Sequence, residues 1–417
     1  MNKYHSLLKQ DKKTFHASDL ALLWDIDNQD TLNMTLKRFV DRGILQRIHK
    51  GFYATTDISN IDPFDLGFAY LNTYSYVSLE TILARAGIIF QEIKCITFIS
   101  SKSSSFEINQ TRYKARQLKD EYLNNTVGVY KVRNHFEANL ERAVADILYY
   151  NSKYYFDNSD AIDFGKVNIC KRRLAMLRTN QEQAIHRSIM LRVLIHILDN
   201  SFLAQNLFFK GGTCASMLGY LDRFSVDLDF DIKDKKNQDD IKNALENIFE
   251  RINLSIKDQS KNTVQYYLKY EAPPNLRNTL KIDAVDIPHQ NNKYEKLLLP
   301  EINRYSICQT KETLFANKLV ALVDRHEQNG SIAGRDIYDI HHFLQKGFDF
   351  NEKLIEERRQ TDADSYLRYL IEFVEDKLTQ TIINQDLNFL LDYKKFKAIH
   401  KTLKAETIAL LKARLKE

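Results

Sequence analysis

The residues with the clearest chemical potential lie between Lys210 and Ile232. A short apolar segment, 207–209, runs into the turn Gly-Gly-Thr, followed by a short helical segment, an Arg-Phe-Ser loop and a second strand. Aspartates alternate with apolar residues along that strand, so the carboxylates share one face. Such a row is costly unless a cation lies within it, and Mg²⁺ carrying nucleotide phosphates suits that role. The carboxylates are those of Asp227, Asp229 and Asp231.

The glycines at 211–212 complete this pattern, because backbone N–H groups without a neighbouring Cβ can approach a phosphate closely. Each feature alone has a simpler explanation. Gly-Gly marks many turns, and acidic residues alternate along the solvent face of many strands. The order Gly-Gly-Thr, short helix, Arg-Phe-Ser and Asp-x-Asp is far more specific. It predicts a metal-dependent nucleotidyltransferase site.

A third carboxylate is expected from the strand predicted at 279–287. Asp283 and Asp286 lie on its opposite faces, so only one of them can point at the site. We favour Asp283, which could bind metal or accept the proton of an attacking hydroxyl. The alternative is that both aspartates are solvated at a strand edge.

Two predicted helices could supply further polar groups. Lys318 lies in an apolar stretch of the helix 311–323, where it could bind phosphate or simply extend to the helix edge. Asp336 and Asp339 share a face of the next helix. Asp336 could orient Lys318 or the nucleotide, or only offset the helix dipole. The adjacent pair at 341–342, both histidines, is expected to be structural.

Composition limits the class of protein. The 417 residues are expected to form two or three domains, and 44% hydrophobic residues with only 5 prolines indicate folded cores. A net charge of +5 is compatible with nucleic-acid binding without proving it. The four cysteines are far apart, so neither a zinc site nor a disulfide framework is expected. With no apolar leader or membrane span, we expect a cytoplasmic protein.

Residues 1–56 are predicted to form a winged helix. One helix is expected to be capped by Ser18, and a second starts near Asp30 and ends at the C′ glycine Gly43. A hairpin over residues 44–54 follows. The polar face of the second helix and the hairpin could contact DNA, or the domain could serve protein contact alone. The candidate DNA-binding residues are Asn33, Lys37, Arg38, Arg47, His49 and Lys50.

The rest of the chain divides near residue 179. Residues 57–178 are predicted to form a mixed α/β domain without catalytic pattern, in which Ser78 caps a short helix. Residues 179–417 contain the motif, preceded by a long helix and followed by a helix at 238–251 and two strands. Beyond these strands we expect mainly helix. The chain is therefore predicted to be an α+β multidomain protein.

Residues 179–417 resemble the AbiEii family of nucleotidyltransferase toxins, relatives of the MenT toxins. The matching segments occur in the family order. Residues 1–178 resemble the AbiEi antitoxin through the winged helix, then residues 76–80 and the helix at 141–146. The segments matching AbiEii are Phe209–Thr213, Arg223–Asp231, Asn317–Leu319 with Ala321 and Arg325, and Arg335–Asp339.

This resemblance implies a DNA polymerase β-like nucleotidyltransferase fold with added helices in residues 179–417. It also implies that Asp227 and Asp229 bind Mg²⁺, with two metal ions expected, and that an NTP is the substrate. Lys318 and Asp336 match the essential lysine and aspartate of the family, and we add Asp283 to the catalytic set. The candidate nucleotide-binding residues are Lys210, Gly211, Gly212, Thr213, Arg223, Ser225, Lys318 and Arg335.

Members of the family are usually encoded as two adjacent proteins, whereas the resemblance implies that both halves are joined in this chain. Characterised relatives modify the 3′ end of tRNA, so the resemblance implies an RNA acceptor, and we expect tRNA. The N-terminal half is expected to bind operator DNA and restrain the toxin half, as in a fused abortive-infection system. Two alternatives remain: a DNA-binding regulator that only senses NTP, and an enzyme that nucleotidylates protein or a small molecule.

Overall fold

The computed structural model describes residues 3–175, 178–287, 289–391 and 393–415. Within those ranges, no helix combines the length and apolar character that a membrane span requires. Three sheets of three, six and seven strands occur in chain order, each with its own helices. The described chain is thus a mixed α/β protein with more than one domain.

The N-terminal region forms a three-stranded sheet in the order β1-β3-β2 with three helices beside it. Asn28 caps the third helix by accepting a hydrogen bond from the Thr31 N–H, and Gly43 follows that helix at φ +67°. The expected cap at Ser18 is wrong, because the second helix begins at Ala17 with Asp19 accepting from the His16 N–H. The elements are α1 (Lys3–Leu8), β1 (Thr14–His16), α2 (Ala17–Leu23), α3 (Gln29–Asp41), β2 (Gln46–His49) and β3 (Phe52–Ala54).

The middle region contains the six-stranded sheet, in the order β6-β7-β5-β4-β9-β8. Its elements are α4 (Pro63–Leu71), β4 (Ser75–Val77), α5 (Glu80–Arg85), β5 (Ile96–Ser100), β6 (Ser104–Ile108), β7 (Thr111–Gln117), α6 (Asp120–Leu123), β8 (Val129–Val132), β9 (His135–Ala138), α7 (Leu140–Tyr150) and α8 (Phe164–Ala175).

A buried polar network replaces the predicted cap in this region. The Ser78 hydroxyl donates to the Asp146 carboxylate at 2.8 Å instead of capping α5. Arg142 is fully buried and also binds Asp146, at 2.9 Å. Its guanidinium donates to the carbonyl oxygens of Tyr122, Asn125 and Val127. Arg142 therefore ties helix α7 to the segment that packs on the C-terminal half.

The C-terminal region is built on the seven-stranded sheet, in the order β12-β13-β14-β11-β10-β16-β15. Its first elements are α9 (Arg178–Asp199), α10 (Ser201–Asn206), β10 (Leu207–Lys210), α11 (Gly211–Met217), β11 (Asp227–Ile232), α12 (Gln238–Arg251), β12 (Ser255–Gln259), β13 (Val264–Lys269) and β14 (Thr279–Asp286). Its later elements are β15 (Tyr294–Leu299), β16 (Arg304–Gln309), α13 (Lys311–Asn329), α14 (Gly334–Gln345), α15 (Glu352–Arg359), α16 (Ala363–Lys377), α17 (Gln380–Leu390), α18 (Tyr393–Ile399) and α19 (Leu403–Lys412).

Strands β15 and β16 were not predicted, whereas the chain after them is mainly helical, as expected. The two strands form an antiparallel hairpin, and β16 pairs parallel to β10, so it completes the sheet next to the glycine turn. The run Leu297–Leu299 before Pro300 was the available signal for the first of these strands.

The N-terminal region packs on this hairpin through buried charges. Lys12 is 5% exposed and Asp19 2% exposed, and the ammonium lies 3.0 Å from the carboxylate. Lys12 also donates to the carbonyl of Asn303 at 3.3 Å, and Asp19 accepts from the backbone N–H of Tyr305 at 3.4 Å. Arg304 continues the interface by donating to the Asn72 carbonyl at 2.8 Å. The two halves of the chain therefore share a polar interface at one edge of the seven-stranded sheet.

Candidate active site

The sheet brings two rows of polar side chains together. Strand β11 pairs parallel to β14 with Asp229 opposite Asp283, and antiparallel to β10 with Asp229 opposite Lys210. Opposed residues in a sheet point to the same face. Asp286 instead lies opposite Ile232 and approaches Lys235 at 3.4 Å. Asp283 is thus on the face of Asp229, and Asp286 is on the other.

The third aspartate of β11 is occupied by protein partners. Asp231 is fully buried and accepts hydrogen bonds from Lys210 at 2.6 Å and from Gln309 and Tyr294 at 2.7 Å each. Because both carboxylate oxygens are engaged, Asp231 is suited to holding Lys210 rather than to binding an ion.

Asp229 lies against the glycine turn. Gly211 has φ +78°, and a Cβ built on it would lie 2.5 Å from Asp229 Oδ2, so a side chain there would be both strained and in collision. Burial raises the pKa of Asp229 to about 6, and the neighbouring Asp227 carboxylate adds to the rise. The nearby cations Lys210 and Lys281 therefore do not fully offset burial and the Asp227 charge at Asp229. Two neighbouring carboxylates, one of them buried without full charge compensation, are suitable ligands for a hard divalent cation. Asp227 and Asp229 are therefore compatible with Mg²⁺ binding.

Asp283 already has a cationic neighbour. Lys281, two residues earlier on the same strand face, donates to Asp283 Oδ2 at 2.7 Å, and Gln265 approaches the same oxygen at 3.4 Å. Burial alone would lower the pKa of Lys281, but Asp283 outweighs it and raises that pKa. The i, i+2 spacing of Lys281 and Asp283 was the sequence signal for this pair.

Lys318 and the two aspartates of α14 form a buried cluster. The ammonium of Lys318 lies 3.0 Å from Asp336 Oδ1 and 2.9 Å from Asp339 Oδ2. Asp336 Oδ2 is also 3.4 Å from a guanidinium nitrogen of Arg325. Burial alone would lower the pKa of Lys318, but the two carboxylates outweigh burial and raise it. Lys318 is therefore held as a cation.

Arg223 lies on the other side of this cluster. It is 6% exposed and forms a two-pronged ion pair with Asp339, at 2.5 and 2.6 Å. Ser225 and Thr213 bond to each other at 2.9 Å, and Thr213 also donates to the Asp227 carbonyl. These three predicted nucleotide-binding residues line a second cavity of about 300 Å³ rather than the cleft beside Asp229.

The cleft beside Asp229 has a volume of about 390 Å³. Gly211 at the start of α11, Asp229, Lys318 and Asp336 are among the residues that line it, whereas Asp227, Asp283 and Gly212 are not. Arg335 is half-buried at the start of α14 and lines neither cavity. Gly212 lies against Arg223, because a Cβ built on Gly212 would approach the Arg223 guanidinium at 2.9 Å. Six polar lining residues were not among the predicted site residues, although two of them, Asn317 and Arg325, lie in the segments that resemble AbiEii. The six are His289, Asn292, Gln309, Asn317, Arg325 and Arg358. Of these, Arg325 was detectable, because it lies two helical turns after Lys318.

A buried histidine supports the strand that carries the acidic residues. His186 on α9 is fully buried, with its ring nitrogens 2.7 Å from the Tyr270 hydroxyl and 2.7 Å from the Val226 carbonyl. Burial lowers the pKa of His186 to about 4, although the bond to Val226 opposes this shift. The ring is therefore neutral where it holds the residue preceding Asp227.

This histidine makes stability pH-dependent. Between an unfolded pKa of 6.5 and a folded pKa of about 4 the unfolded chain binds more protons, so stability falls as pH drops through that window. From pH 7 to pH 5 we expect His186 to contribute a loss of about 2 kcal/mol. Urea unfolding of wild type and His186→Gln at both pH values measures it. An equal pH dependence in both proteins would contradict the assignment.

Other predicted residues lie outside the cleft. His341 approaches Glu406 at 3.0 Å and His342 approaches Asp222 at 3.3 Å, as expected for structural histidines. All six predicted DNA-binding residues are exposed on α3, β2 and the turn that follows it. The ring of His49 lies 5.8 Å from that of Tyr70 in the middle region.

Asp62, Asp65 and His135 form a separate group whose ligand atoms lie within 4.8 Å of one another. The two ring nitrogens of His135 approach Asp65 at 2.5 Å and Glu137 at 3.0 Å. Burial would lower the pKa of His135, but these carboxylates outweigh it and raise that pKa. Both ring nitrogens of His135 are therefore engaged by protein carboxylates, which leaves neither of them for an ion.

The part of the chain that contains the cleft matches a described family. Residues 192–403, half of the chain, match the family described as "Nucleotidyl transferase AbiEii toxin, Type IV TA system". No curated protein sequence matches the chain significantly.

Solved structures similar to the chain are remote in sequence. JHP933 from Helicobacter pylori is 19% identical over 56% of this chain and 91% of its own, with a TM-score of 0.35. The nucleotidyltransferase toxin MenT4 from Mycobacterium tuberculosis is 17% identical over 58% and 87%, with a TM-score of 0.36. An antigenic nucleotidyltransferase-like protein from Paracoccidioides brasiliensis is 14% identical over 54% and 94%, with a TM-score of 0.32.

Proposed function

Because this chain belongs to the AbiEii family of nucleotidyltransferase toxins, we propose that it transfers a nucleotide from an NTP to the 3′-hydroxyl of an RNA, tRNA being the expected acceptor. The observation that carries the proposal is the convergence of Asp229, Gly211 and Lys318 on one cleft. That cleft combines the Asp229 carboxylate, whose charge is not fully offset by protein cations, with a close backbone approach at Gly211 and the fixed cation of Lys318.

The reaction is an in-line displacement, in which the 3′ oxygen attacks the α-phosphorus and pyrophosphate leaves. Asp227 and Asp229 would hold Mg²⁺, which supplies charge neutralisation for the triphosphate and acidity for the attacking hydroxyl. Lys210 and Lys318 provide fixed positive charge, positioned by Asp231 and by Asp336. Asp283 Oδ1 is the proposed proton acceptor, because Oδ2 is bound to Lys281. Positioning and electrostatics do most of the catalytic work.

The test is incubation of the full chain with each labelled NTP, Mg²⁺ and total cellular RNA or total protein. Labelled RNA that loses its label on trimming of the 3′ end supports the proposal. Label on protein or on a small molecule would assign another acceptor. Nucleotide binding with no labelled product would favour a sensor.

We further propose that residues 1–56 form a winged helix and that residues 1–178 act as an AbiEi-like antitoxin half. The support is the order α1-β1-α2-α3-β2-β3, with a three-stranded sheet and the basic residues of α3 and the β2–β3 hairpin exposed. Helix α2 packs towards β16, whereas Lys37 and Arg38 of α3 face solvent. Docking on the catalytic half thus leaves the proposed recognition helix accessible.

Lys37→Ala/Arg38→Ala should weaken binding to the DNA upstream of the coding sequence. Loss of two phosphate contacts should also lower the slope of log affinity against log salt by about 2. Fluorescence anisotropy at several salt concentrations measures both. Lys257→Ala/Lys261→Ala, which removes two exposed lysines of the C-terminal half, is the matched control and should change neither. An unaltered slope in the Lys37/Arg38 variant would exclude α3 as the recognition element.

The position of the N-terminal half also bears on restraint of the toxin half. The described residues that line the nucleotide cleft all belong to residues 210–358. Residues 1–178 instead contact the β15–β16 hairpin and helix α9, and among them Thr126 lines the second cavity. We therefore propose that this half limits toxicity by acting at DNA, and that it does not plug the cleft.

A further inference from the structure

The cations that line the nucleotide cleft differ in how strongly protein carboxylates hold them. Lys210 is 2.6 Å from the buried Asp231. Arg358 donates to Asn317 Oδ1 at 2.6 Å and is ion-paired with Asp324. Lys318 has three N–H donors, and two carboxylates lie within 3.0 Å of its nitrogen. Each of these three groups is therefore held by a short contact to a protein oxygen, although Lys210 and Arg358 retain further N–H donors.

Arg325 is the exception. Its contact to Asp336 is long, at 3.4 Å, and uses one of five guanidinium N–H donors. Its Nε is buried and has no hydrogen-bond partner within the described structure. A buried donor without a partner costs free energy unless a ligand satisfies it. The guanidinium lines the same cleft as Asp229 and Lys318.

Asp336 explains why two cations lie side by side. It is 1% exposed, and its two oxygens face Lys318 and Arg325 separately. The carboxylate offsets part of their mutual repulsion while leaving the outer face of Arg325 towards the cleft. A planar guanidinium with spare donors is well matched to phosphate oxygens.

Resting on the proposed NTP-dependent transfer, we propose that Arg325 binds the phosphates beyond the α-phosphate. Arg325, more than Lys318, then makes the site prefer nucleoside triphosphates over monophosphates. Lys318, already held by two carboxylates, contributes fixed charge, and Arg325 contributes the hydrogen bonds that a longer phosphate chain completes.

The experiment measures binding of each ribonucleoside triphosphate and its monophosphate to the full chain by calorimetry, without RNA, in Mg²⁺ and in EDTA. Wild type should prefer the triphosphate. Arg325→Gln should weaken triphosphate binding about 10- to 100-fold, the effect of losing charge-assisted hydrogen bonds. Monophosphate binding should be nearly unchanged. Arg112→Gln, at an exposed arginine of the middle region, is the control and should match wild type.

Arg325→Lys keeps a cation beside Asp336 but lacks the guanidinium Nε, so its preference for triphosphate should lie between those of wild type and Arg325→Gln. This variant also supplies the test if Arg325→Gln does not fold. An unchanged preference in a folded Arg325 variant, with wild type still labelling RNA, would overturn the role of Arg325 alone. A wild type that binds no NTP would overturn the proposed function and this inference with it.

Discussion

Asp229→Asn should reduce nucleotidyl transfer by about 1,000-fold or more, because loss of a metal-binding carboxylate removes several kcal/mol of charge stabilisation from the transition state. The fold should persist, since asparagine has nearly the same shape. Replacing one of two neighbouring carboxylates also relieves repulsion with Asp227. Transfer of labelled nucleotide to RNA and thermal unfolding in EDTA measure the two effects separately.

Asp227→Asn should give a similar loss of transfer. Asp240→Asn, at an exposed position in the first turn of α12, is the matched control and should retain activity. Near wild-type turnover by Asp229→Asn, with unaltered Mg²⁺ dependence, would exclude Asp229 as a metal ligand.

Lys12→Met should lower the free energy of unfolding by about 3–5 kcal/mol, because it leaves the Asp19 carboxylate buried and unpaired. Lys12 and Asp19 are almost fully buried between the N-terminal region and β16. The double variant Lys12→Met/Asp19→Asn should recover much of the loss, since the uncompensated charge is gone. Urea unfolding of wild type, Lys12→Met, Asp19→Asn and the double variant forms a double-mutant cycle.

The neighbouring Lys13 is exposed, so Lys13→Met provides the control and should change stability little. A loss below about 1 kcal/mol for Lys12→Met would mean that water reaches Asp19 when the lysine is removed, since exposed pairs contribute at that level.

The motif region was predictable because its signals are local. Alternation of aspartate with apolar residues identifies β11, and the apolar periodicity of residues 238–251 matches α12 in full. The face shared by Asp229 and Asp283 follows from strand alternation once the two strands pair in register. For β11 and α12 the side-chain pattern within one element is sufficient, whereas the shared face also requires the pairing of β11 with β14.

Other features depend on contacts between distant segments. Asp231 has the same spacing as Asp227 and Asp229, and only its partners on β15 and β16 show that it positions Lys210. Strands β15 and β16 themselves lack a clean alternation, because their side chains are partly or fully buried on both faces. Arg223 was expected at the phosphates, and its pairing with Asp339, 116 residues later, moves it to the second cavity. Such partners cannot be identified from spacing alone.

The buried pair between Lys12 and Asp19 also bears on how such a chain could evolve. In a gene split between the two halves, each product would have to fold with part of this interface facing water. The catalytic product would expose side chains of the β15–β16 hairpin, at the edge of its sheet, which invites aggregation. In the N-terminal product, the Lys12–Asp19 ion pair would no longer be buried against β16. A split form therefore needs compensating substitutions at this surface, whereas the nucleotide cleft could stay unchanged.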